Sequence, residues 1–287
     1  MKKWPLRCEI CSQAKSFDMR AVCAAILIST LALPAWANAR VTLLLDAMQI
    51  REVLAILRDE GMVYGADLDQ DMLDGRGGPF WLAQLERIYD LQQMEETIRR
   101  AFETGMTDEE ISAALAFFTT DAGAQIIALE TSARRAISDP LVEAEAMDAY
   151  ARMAETETVL MQQVHEYIAV NDLLEWNVSG AMSASYQFYK GLSDGGYHRR
   201  SEQDILDEVW SQQDDIRSDT ESWLGAYLTM AYQPLTRDVL DEYIAYAASS
   251  EGSALNAALF DGFDTMYRTI YYALGLAVAE SLQVSEL

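Results

Sequence analysis

Four aspartates in a short segment have the spacing of a calcium-binding loop. Asp67, Asp69 and Asp71 alternate with other residues, and Asp74 follows them. In a loop, this Asp-x-Asp-x-Asp pattern turns alternate carboxylates towards a single ion. The sixth position is methionine instead of glycine, however, and the twelfth is glycine instead of a bidentate glutamate. The four aspartates are therefore weak candidates for a metal site with weak binding of divalent cations, and a solvated acidic turn or helix start is the alternative.

The other residues that could do chemistry do not fall into known motifs. His165 and His198 are the only histidines, and they lack the paired spacing of a zinc-binding helix. The chain has no glycine-rich phosphate loop, nucleophile elbow or Ser-x-x-Lys motif. Its 46 acidic residues offer many candidates for the acid of a glycoside hydrolase, but no means of choosing among them. We therefore expect no cofactor and no catalytic activity.

The N-terminal segment has the features of a secretory signal peptide. An arginine precedes the apolar run from Ala21 to Leu33, and the small-x-small pattern Ala37-Asn38-Ala39 follows it. We predict that residues 1–39 are removed after Ala39 and that the protein is periplasmic, with a buried N-terminal helix as the alternative. Residues 1–18 are unusual in a signal peptide, and Met19 is a more ordinary start.

The positions of the cysteines limit the chemistry of the exported chain. Cys8, Cys11 and Cys23 all lie upstream of the predicted cleavage site. The exported chain would therefore have no disulfide, no thiol nucleophile and no thiolate metal site. A bacterial periplasm, where disulfides are allowed but not required, is compatible with this composition.

The charge of the chain argues against some classes of partner. The formal net charge is −25. Such a negative field repels nucleic acid and anionic lipid headgroups, and it attracts divalent cations and basic proteins. The alternative explanation of the charge is solubility in a salty habitat, without any specific partner.

Apolar residues recur at helical spacing nearly throughout, and we predict an all-α fold. One stripe runs from Leu43 to Leu57, and the last one runs from Leu255 to Val278 as a helix of several turns. The apolar stretch Thr269–Ala279 is too short to cross a bilayer, so we expect a protein that is not integral to the membrane.

A group of helix-start signals lies near the middle of the first half. Thr107 with Glu110 three residues later forms a capping-box pattern. Thr120 is expected to cap the next helix, with Gly123 in its first turn. Since glycine in a helix costs about 1 kcal/mol relative to alanine, we expect Gly123 to allow close approach of another backbone, with ligand contact as the less favoured alternative.

The same signature recurs 129 residues later, which indicates an internal repeat. Thr236, Ser249 and Gly252 correspond to Thr107, Thr120 and Gly123, and Trp210 corresponds to Trp81, at a constant offset without gaps. The match is of residue character more than of identity. We predict two tandem, pseudo-repeated helical halves that form one bundle-like unit.

The halves and their connection follow from the composition of the chain. We predict one half over 40–138, a long connecting helix over 139–170 and the second half over 171–287. Glycine-rich segments at 61–79 and 191–196 are expected to be loops in corresponding places.

The segment Phe117-Phe118-Thr119-Thr120-Asp121-Ala122-Gly123 resembles the signature of an exported bacterial family called domain of unknown function 2059. Asp121 replaces the proline usual at that step. Glu60-Gly61, Gly75-Arg76-Gly77-Gly78 and the segment 186–191 are also similar to parts of longer, two-copy members. The resemblance implies an all-helical periplasmic fold. Because the family has no established activity, it implies no catalytic residues.

Aromatic residues are concentrated in the second half, and we expect most of them to fill the core. We predict a non-catalytic periplasmic protein that binds a protein or peptide partner through an aromatic groove between the halves. The alternatives are a carrier or sensor of a small apolar ligand, with a cavity lined by methionines and tyrosines, and a cell-wall glycoside-cleaving enzyme, with one desolvated glutamate in a cleft. The aromatic residues concerned are Trp176, Tyr186, Phe188, Tyr189, Trp210, Trp223, Tyr227, Tyr232, Tyr243, Tyr246, Tyr267, Tyr271 and Tyr272.

Overall fold

The computed structural model describes residues 39–154, 156, 158–197 and 200–285. Within these ranges the regular structure is helical and no strand occurs, so the predicted all-α fold is confirmed. The predicted signal peptide lies outside the described residues except for Ala39. Residues 40–287 form one compact unit.

Thirteen helices contain most of the described residues. In chain order they are α1 (39–47), α2 (Ile50–Met72), α3 (Gly78–Ile88), α4 (Leu91–Gly105), α5 (Asp108–Phe118), α6 (Asp121–Ala136), α7 (Pro140–Ala154), α8 (Val159–Val170), α9 (Leu173–Asp194), α10 (Glu202–Ser211), α11 (Gln213–Tyr232), α12 (Arg237–Ala247) and α13 (Ser250–Ser285).

The predicted apolar stripe from Leu43 to Leu57 is divided between two helices. Gln49, at the start of α2, has a left-handed backbone with φ of 51°. That conformation ends α1 and redirects the chain, because a left-handed residue cannot continue a right-handed helix. Asp172, which precedes α9, has the same φ of 51°. Helices α2 and α9 therefore both begin after a left-handed residue that is not glycine.

The prediction of a loop over 61–79 is wrong for most of its length. Helix α2 continues to Met72, and only residues 73–77 connect it to α3. Gly61 lies directly against the ring of Tyr89, and Gly65 lies against the side chain of Leu85. These two glycines leave room for side chains from the end of α3, and that packing outweighs their poor helix propensity.

The second predicted loop, over 191–196, is also mostly helical. Helix α9 extends to Asp194, and the chain turns only at Gly195 and Gly196. A side chain at Gly191 would collide with the backbone oxygen of Tyr272, and one at Gly275 would collide with the backbone oxygen of Phe188. The two glycines therefore bring the backbones of α9 and α13 into direct contact.

The single connecting helix predicted over 139–170 is instead two helices. Helix α7 ends at Ala154 and α8 begins at Val159. The Thr158 hydroxyl accepts a hydrogen bond from the backbone N–H of Met161 at 3.2 Å, which caps the start of α8. A capping threonine competes with helix continuation, since its side chain satisfies donors that a longer helix would satisfy with carbonyls.

The helix-start signals have different outcomes at the two sites. Thr107 and Glu110 form a capping box, in which each side chain accepts a hydrogen bond from the other residue's backbone N–H. Thr120 caps α6 by accepting from the N–H of Gly123 at 3.0 Å. Thr236 occupies the N-cap position of α12 but makes no side-chain capping bond. Its backbone conformation, with φ of −74° and ψ of 154°, is nevertheless that of an N-cap residue.

Ser249 and Gly252 repeat the arrangement of Thr120 and Gly123. The Ser249 hydroxyl accepts from the N–H of Gly252 at 3.0 Å. An added Cβ would strike the backbone of the preceding helix at both glycines: Phe117 and Phe118 in the case of Gly123, and Tyr246 and Ala247 in the case of Gly252. The close approach expected at these positions is therefore the tight turn between consecutive helices.

Helix α13 packs against helices from both parts of the chain. It contacts α3, α4 and α5 as well as α9 and α12. Gly262 of α13 lies against Ile98 and Ala101 of α4, where Ile98 is fully buried. At 36 residues, α13 is long enough to cover all five helices.

Among the described residues, no single helix is long and apolar enough to cross a membrane. The bent pair α5 and α6, with 83° between the two helices, meets the criterion by length and composition only.

Candidate functional site

The aspartates at 67–74 do not form the calcium loop that their spacing suggested. Asp67, Asp69 and Asp71 lie in α2, where a turn of about 100° per residue places Asp69 on the side of the helix opposite to Asp67 and Asp71. Asp69 accepts a hydrogen bond from the N–H of Gly77 at 2.8 Å, and Asp74 pairs with a neighbouring arginine. In the described part of the chain, no group of three or more histidine, cysteine or acidic residues is placed to hold a metal ion.

Of the two histidines, the structure describes His165. The ring of His165 meets the hydroxyl of Tyr150 at 3.4 Å on the protein surface. His198 lies outside the described residues.

A cavity of about 780 Å³ lies between α2, α6, α8, α9, α11, α12 and α13. Its volume is within the range of natural small-molecule sites, and most of its surface is apolar. A second hollow of about 530 Å³, beside α2 and α6, is lined mainly by polar and charged residues. The larger cavity is the better candidate site because it combines aromatic walls with a buried acid. Its aromatic lining residues are Tyr167, Trp176, Trp223, Tyr227, Tyr243, Phe260, Phe263, Tyr267 and Tyr271.

The acid is Glu130, which α6 carries into the cavity wall. Glu130 lies one turn after the buried residues Ile126 and Ile127, on the inner face of the helix. The hydroxyl of Tyr232 donates a hydrogen bond to its carboxylate at 2.6 Å. The hydroxyl of Tyr227 donates to its backbone carbonyl at 3.2 Å. Two residues of α11 thus bond to Glu130, one to its carboxylate and one to its backbone carbonyl.

Further tyrosines extend this arrangement across α8 and α12. The Tyr167 hydroxyl donates to the hydroxyl of Tyr243 at 2.8 Å. The Tyr167 ring meets the ring of Tyr232 edge-on, with centroids 5.5 Å apart. Because Tyr243 in turn hydrogen-bonds to Glu130, the three tyrosines and the glutamate form one connected polar network inside apolar walls.

Burial controls the acidity of this network. It raises the pKa of Glu130 from 4.5 to about 7, although hydrogen bonds from Tyr232 and Tyr243 oppose the increase. Burial, followed by the nearby charge of Glu130, raises the pKa of Tyr243 and Tyr232 well above the usual value. Glu130 therefore changes charge near neutral pH, whereas the tyrosines remain neutral hydrogen-bond donors.

Arg134, one turn after Glu130, also lines the cavity but is already paired. Its two terminal nitrogens bond the two carboxylate oxygens of Glu60, each at 2.5 Å. Its guanidinium lies over the ring of Trp223, 5.5 Å from the centroid. The ion pair with Glu60 directs the positive charge of Arg134 away from Glu130.

The sequence predicted an aromatic groove between the halves, and a desolvated glutamate in a cleft only as part of the glycoside-cleaving alternative. Tyr227 and Tyr243 line the cavity, whereas Trp210 is 59% exposed and lies elsewhere. Trp81, its counterpart in the predicted repeat, is 3% exposed and donates from its indole nitrogen to the Gly65 carbonyl at 2.8 Å. The signal for Glu130 was an acidic residue at helical spacing on an apolar stripe.

Comparison with known proteins gives one match. Residues 92–152 match a family model described as "Uncharacterized protein conserved in bacteria (DUF2059)". No curated protein and no solved structure matches the chain. The matched segment runs from α4 into α7 and includes Glu130 and Arg134. Over these residues, the chain is similar to the DUF2059 family of uncharacterised bacterial proteins.

Proposed function

We propose that this is a non-catalytic binding protein that holds a small, mainly apolar molecule in the cavity around Glu130. The observation that carries the proposal is a mainly apolar cavity of about 780 Å³ with a single buried carboxyl group held by tyrosines. Natural ligand sites combine apolar walls with a few fixed polar groups in the same way. Of the interpretations made from the sequence, this one corresponds to the carrier or sensor.

A peptide side chain is the second candidate ligand. Trp176 lines the cavity, is 46% exposed and stacks on Phe260 with ring centroids 5.2 Å apart. An exposed tryptophan at the rim of an apolar cavity offers contact area to a protein partner.

Cell-wall glycoside cleavage has weaker support. Glu130 has the raised pKa that a general acid needs. This mechanism needs a second carboxylate across the substrate. The other carboxylates of the lining are Asp261 and Asp264, of which Asp264 is paired with Arg268, and the hydrogen-bonding neighbours of Glu130 are tyrosines. A peptidoglycan zymogram that shows clearing for the wild type and none for E130Q would favour the enzyme over the carrier.

Location and tandem organisation are part of the same proposal. The signal-like segment at 1–39 supports a periplasmic protein. Two tandem copies are supported by α5 and α12, which are both 11 residues long and begin 129 residues apart, at 108 and 237. Phe117 stacks on Tyr246, its counterpart in the repeat, with centroids 4.2 Å apart. Contact between equivalent residues is typical of units related by a two-fold axis.

The experiment that tests the proposal is native mass spectrometry on protein purified from its own host. We expect a mass in excess of the polypeptide, corresponding to a small molecule in a 1:1 complex. The matched variants are S183W, at a residue that lines the cavity on α9, and S185W, two residues further along the same helix and outside the lining. Loss of the excess mass in S183W alone supports the cavity, whereas a bare polypeptide in the wild type contradicts tight binding.

A further inference from the structure

The walls of the cavity present aromatic faces in two stacked pairs. Trp176 lies on Phe260, with an angle of 14° between the rings, and Trp223 lies on Tyr227, with 18°. All four line the cavity. The face of an aromatic ring is electron-rich and attracts cations. Trp223 already binds one cation in this way, since the guanidinium of Arg134 lies over its ring.

Charge in and around the cavity is mostly negative. Besides Glu130, Asp261 and Asp264 of α13 line it, and Asp264 pairs with Arg268 at 3.7 Å. Arg134 is the one cationic lining residue among those described, and Glu60 neutralises it. The other elements that face Glu130, which are α8, α11 and α12, present the neutral hydroxyls of tyrosines.

Glu130 itself has no cationic partner within the described residues. Its carboxylate bonds only to tyrosine hydroxyls, which compensate part of the cost of burying a charge. A positive charge in direct contact would offset more of that cost, because an opposite charge favours the ionised form of a carboxyl group.

We propose that the ligand is an organic cation, namely an amine whose ammonium group pairs with the Glu130 carboxylate and whose hydrocarbon part lies on the aromatic walls. This inference rests on the proposed function and specifies the chemical class of the ligand. Anionic ligands such as fatty acids are disfavoured, because their carboxylate would lie beside Glu130 and the two aspartates.

The test compares two probes of almost the same shape, 4-phenylbutylamine and 4-phenylbutan-1-ol. Their binding to the full chain is followed by tryptophan fluorescence excited at about 295 nm, because Trp176 and Trp223 line the cavity. At pH 8 we expect the amine to bind at least about 10-fold more tightly than the alcohol. In E130Q, which keeps the shape of the side chain, we expect most of this preference to be lost; the aromatic faces and the two aspartates account for the remainder.

A pH series on the wild type provides a second test that needs no variant. The amine keeps its charge between pH 5.5 and 8, whereas Glu130 is protonated as the pH falls through about 7. The preference for the amine should therefore decrease by about 10-fold or more at pH 5.5, and amine binding at pH 6 should release protons, which calorimetry in two buffers measures.

The outcomes separate this inference from the proposed function. Equal binding of amine and alcohol at pH 8, or a preference that is unchanged in E130Q, overturns the organic cation and leaves the apolar cavity in place. Failure of both probes to bind at millimolar concentration overturns the binding function together with the inference.

Discussion

At the scale of single residues, Glu130 combines two opposing influences on one carboxyl group. Burial in the cavity wall favours the neutral form, and hydrogen bonds from Tyr232 and Tyr243 favour the charged form. Burial has the larger effect, so the pKa is raised to about 7. A glutamate with this pKa lowers the stability of the folded protein at alkaline pH, and such a cost is typical of residues kept for function.

We predict that E130Q stabilises the protein in a pH-dependent manner. The carboxyl group titrates near 4.5 in the unfolded chain and near 7 in the folded protein. The contribution of this group to the stability of the wild type therefore falls by up to about 3 kcal/mol as the pH rises from about 4.5 to about 7. Above that pH the contribution stays low. Urea unfolding of both proteins from pH 4 to pH 8 should show equal stability at pH 4 and a more stable E130Q at pH 8.

The control for this measurement is E103Q, at an exposed glutamate of α4. It should change the free energy of unfolding by less than about 0.5 kcal/mol at any pH, as is usual for surface positions. A difference between E130Q and the wild type that is the same at pH 4 and pH 8 contradicts the assignment of a raised pKa to Glu130.

At the scale of helices, the contact between α9 and α13 depends on two glycines. At Gly191 and Gly275 the two backbones are so close that a methyl group has no space. Glycine is usually unfavourable within a helix, by about 1 kcal/mol relative to alanine. The close packing of two of the longest helices is the compensating gain.

We predict that G275A destabilises the protein even though alanine is the better helix former. The added methyl group would strike the backbone of Phe188, and overpacking of this kind costs about 1–3 kcal/mol beyond any gain in propensity. The matched control is G180A in α9, where nothing lies within 4 Å of the added Cβ. Thermal unfolding should show a lower midpoint for G275A and an unchanged or higher one for G180A; equal midpoints contradict the close helix contact.

Sequence patterns predicted the helices better than the sites where helices meet. Capping at Thr107 and Thr120 was predictable, because cap hydrogen bonds join residues three positions apart. The prediction of a loop over 61–79 was wrong because Gly61 and Gly65 make room for the side chains of Tyr89 and Leu85. Composition does not reveal such contacts.

The candidate site was less predictable than the fold, because it too depends on contacts between residues that are far apart in the sequence. Glu130 is one of 46 acidic residues, and its position on an apolar helical stripe is too weak a signal to single it out. Tyr232 follows it by 102 positions, and Tyr167 and Tyr243, which bond each other, are 76 positions apart. Only tertiary packing brings these groups together, so pattern analysis had no means of finding them.

At the scale of the whole molecule, the two parts of the chain share one core. Helix α13 packs on α4, and α11 packs on α6, so that each part covers helices of the other. Ile98 and Phe102 of α4 are fully buried. Because the two parts of the chain bury residues against each other, we expect them to unfold together.

We predict that the first part of the chain does not fold alone. A fragment over 40–154 lacks α13, so the buried face of α4 with Ile98 and Phe102 would be exposed to water. Helices of this length are marginal without tertiary packing, and the fragment should show less than roughly half of the helicity per residue of the full chain by circular dichroism. The full chain is the control and should unfold in one transition. A fragment with full helicity and cooperative unfolding contradicts a shared core.

The position of α13 along the chain also has a consequence for biosynthesis. Ile98 emerges from the ribosome about 160 residues before Gly262, the residue that lies against it. At typical elongation rates of about 5–20 residues per second, this interval is roughly 10 to 30 s. During that time the apolar face of α4 has no native cover. The native packing of α4 can therefore form only after most of α13 has been synthesised.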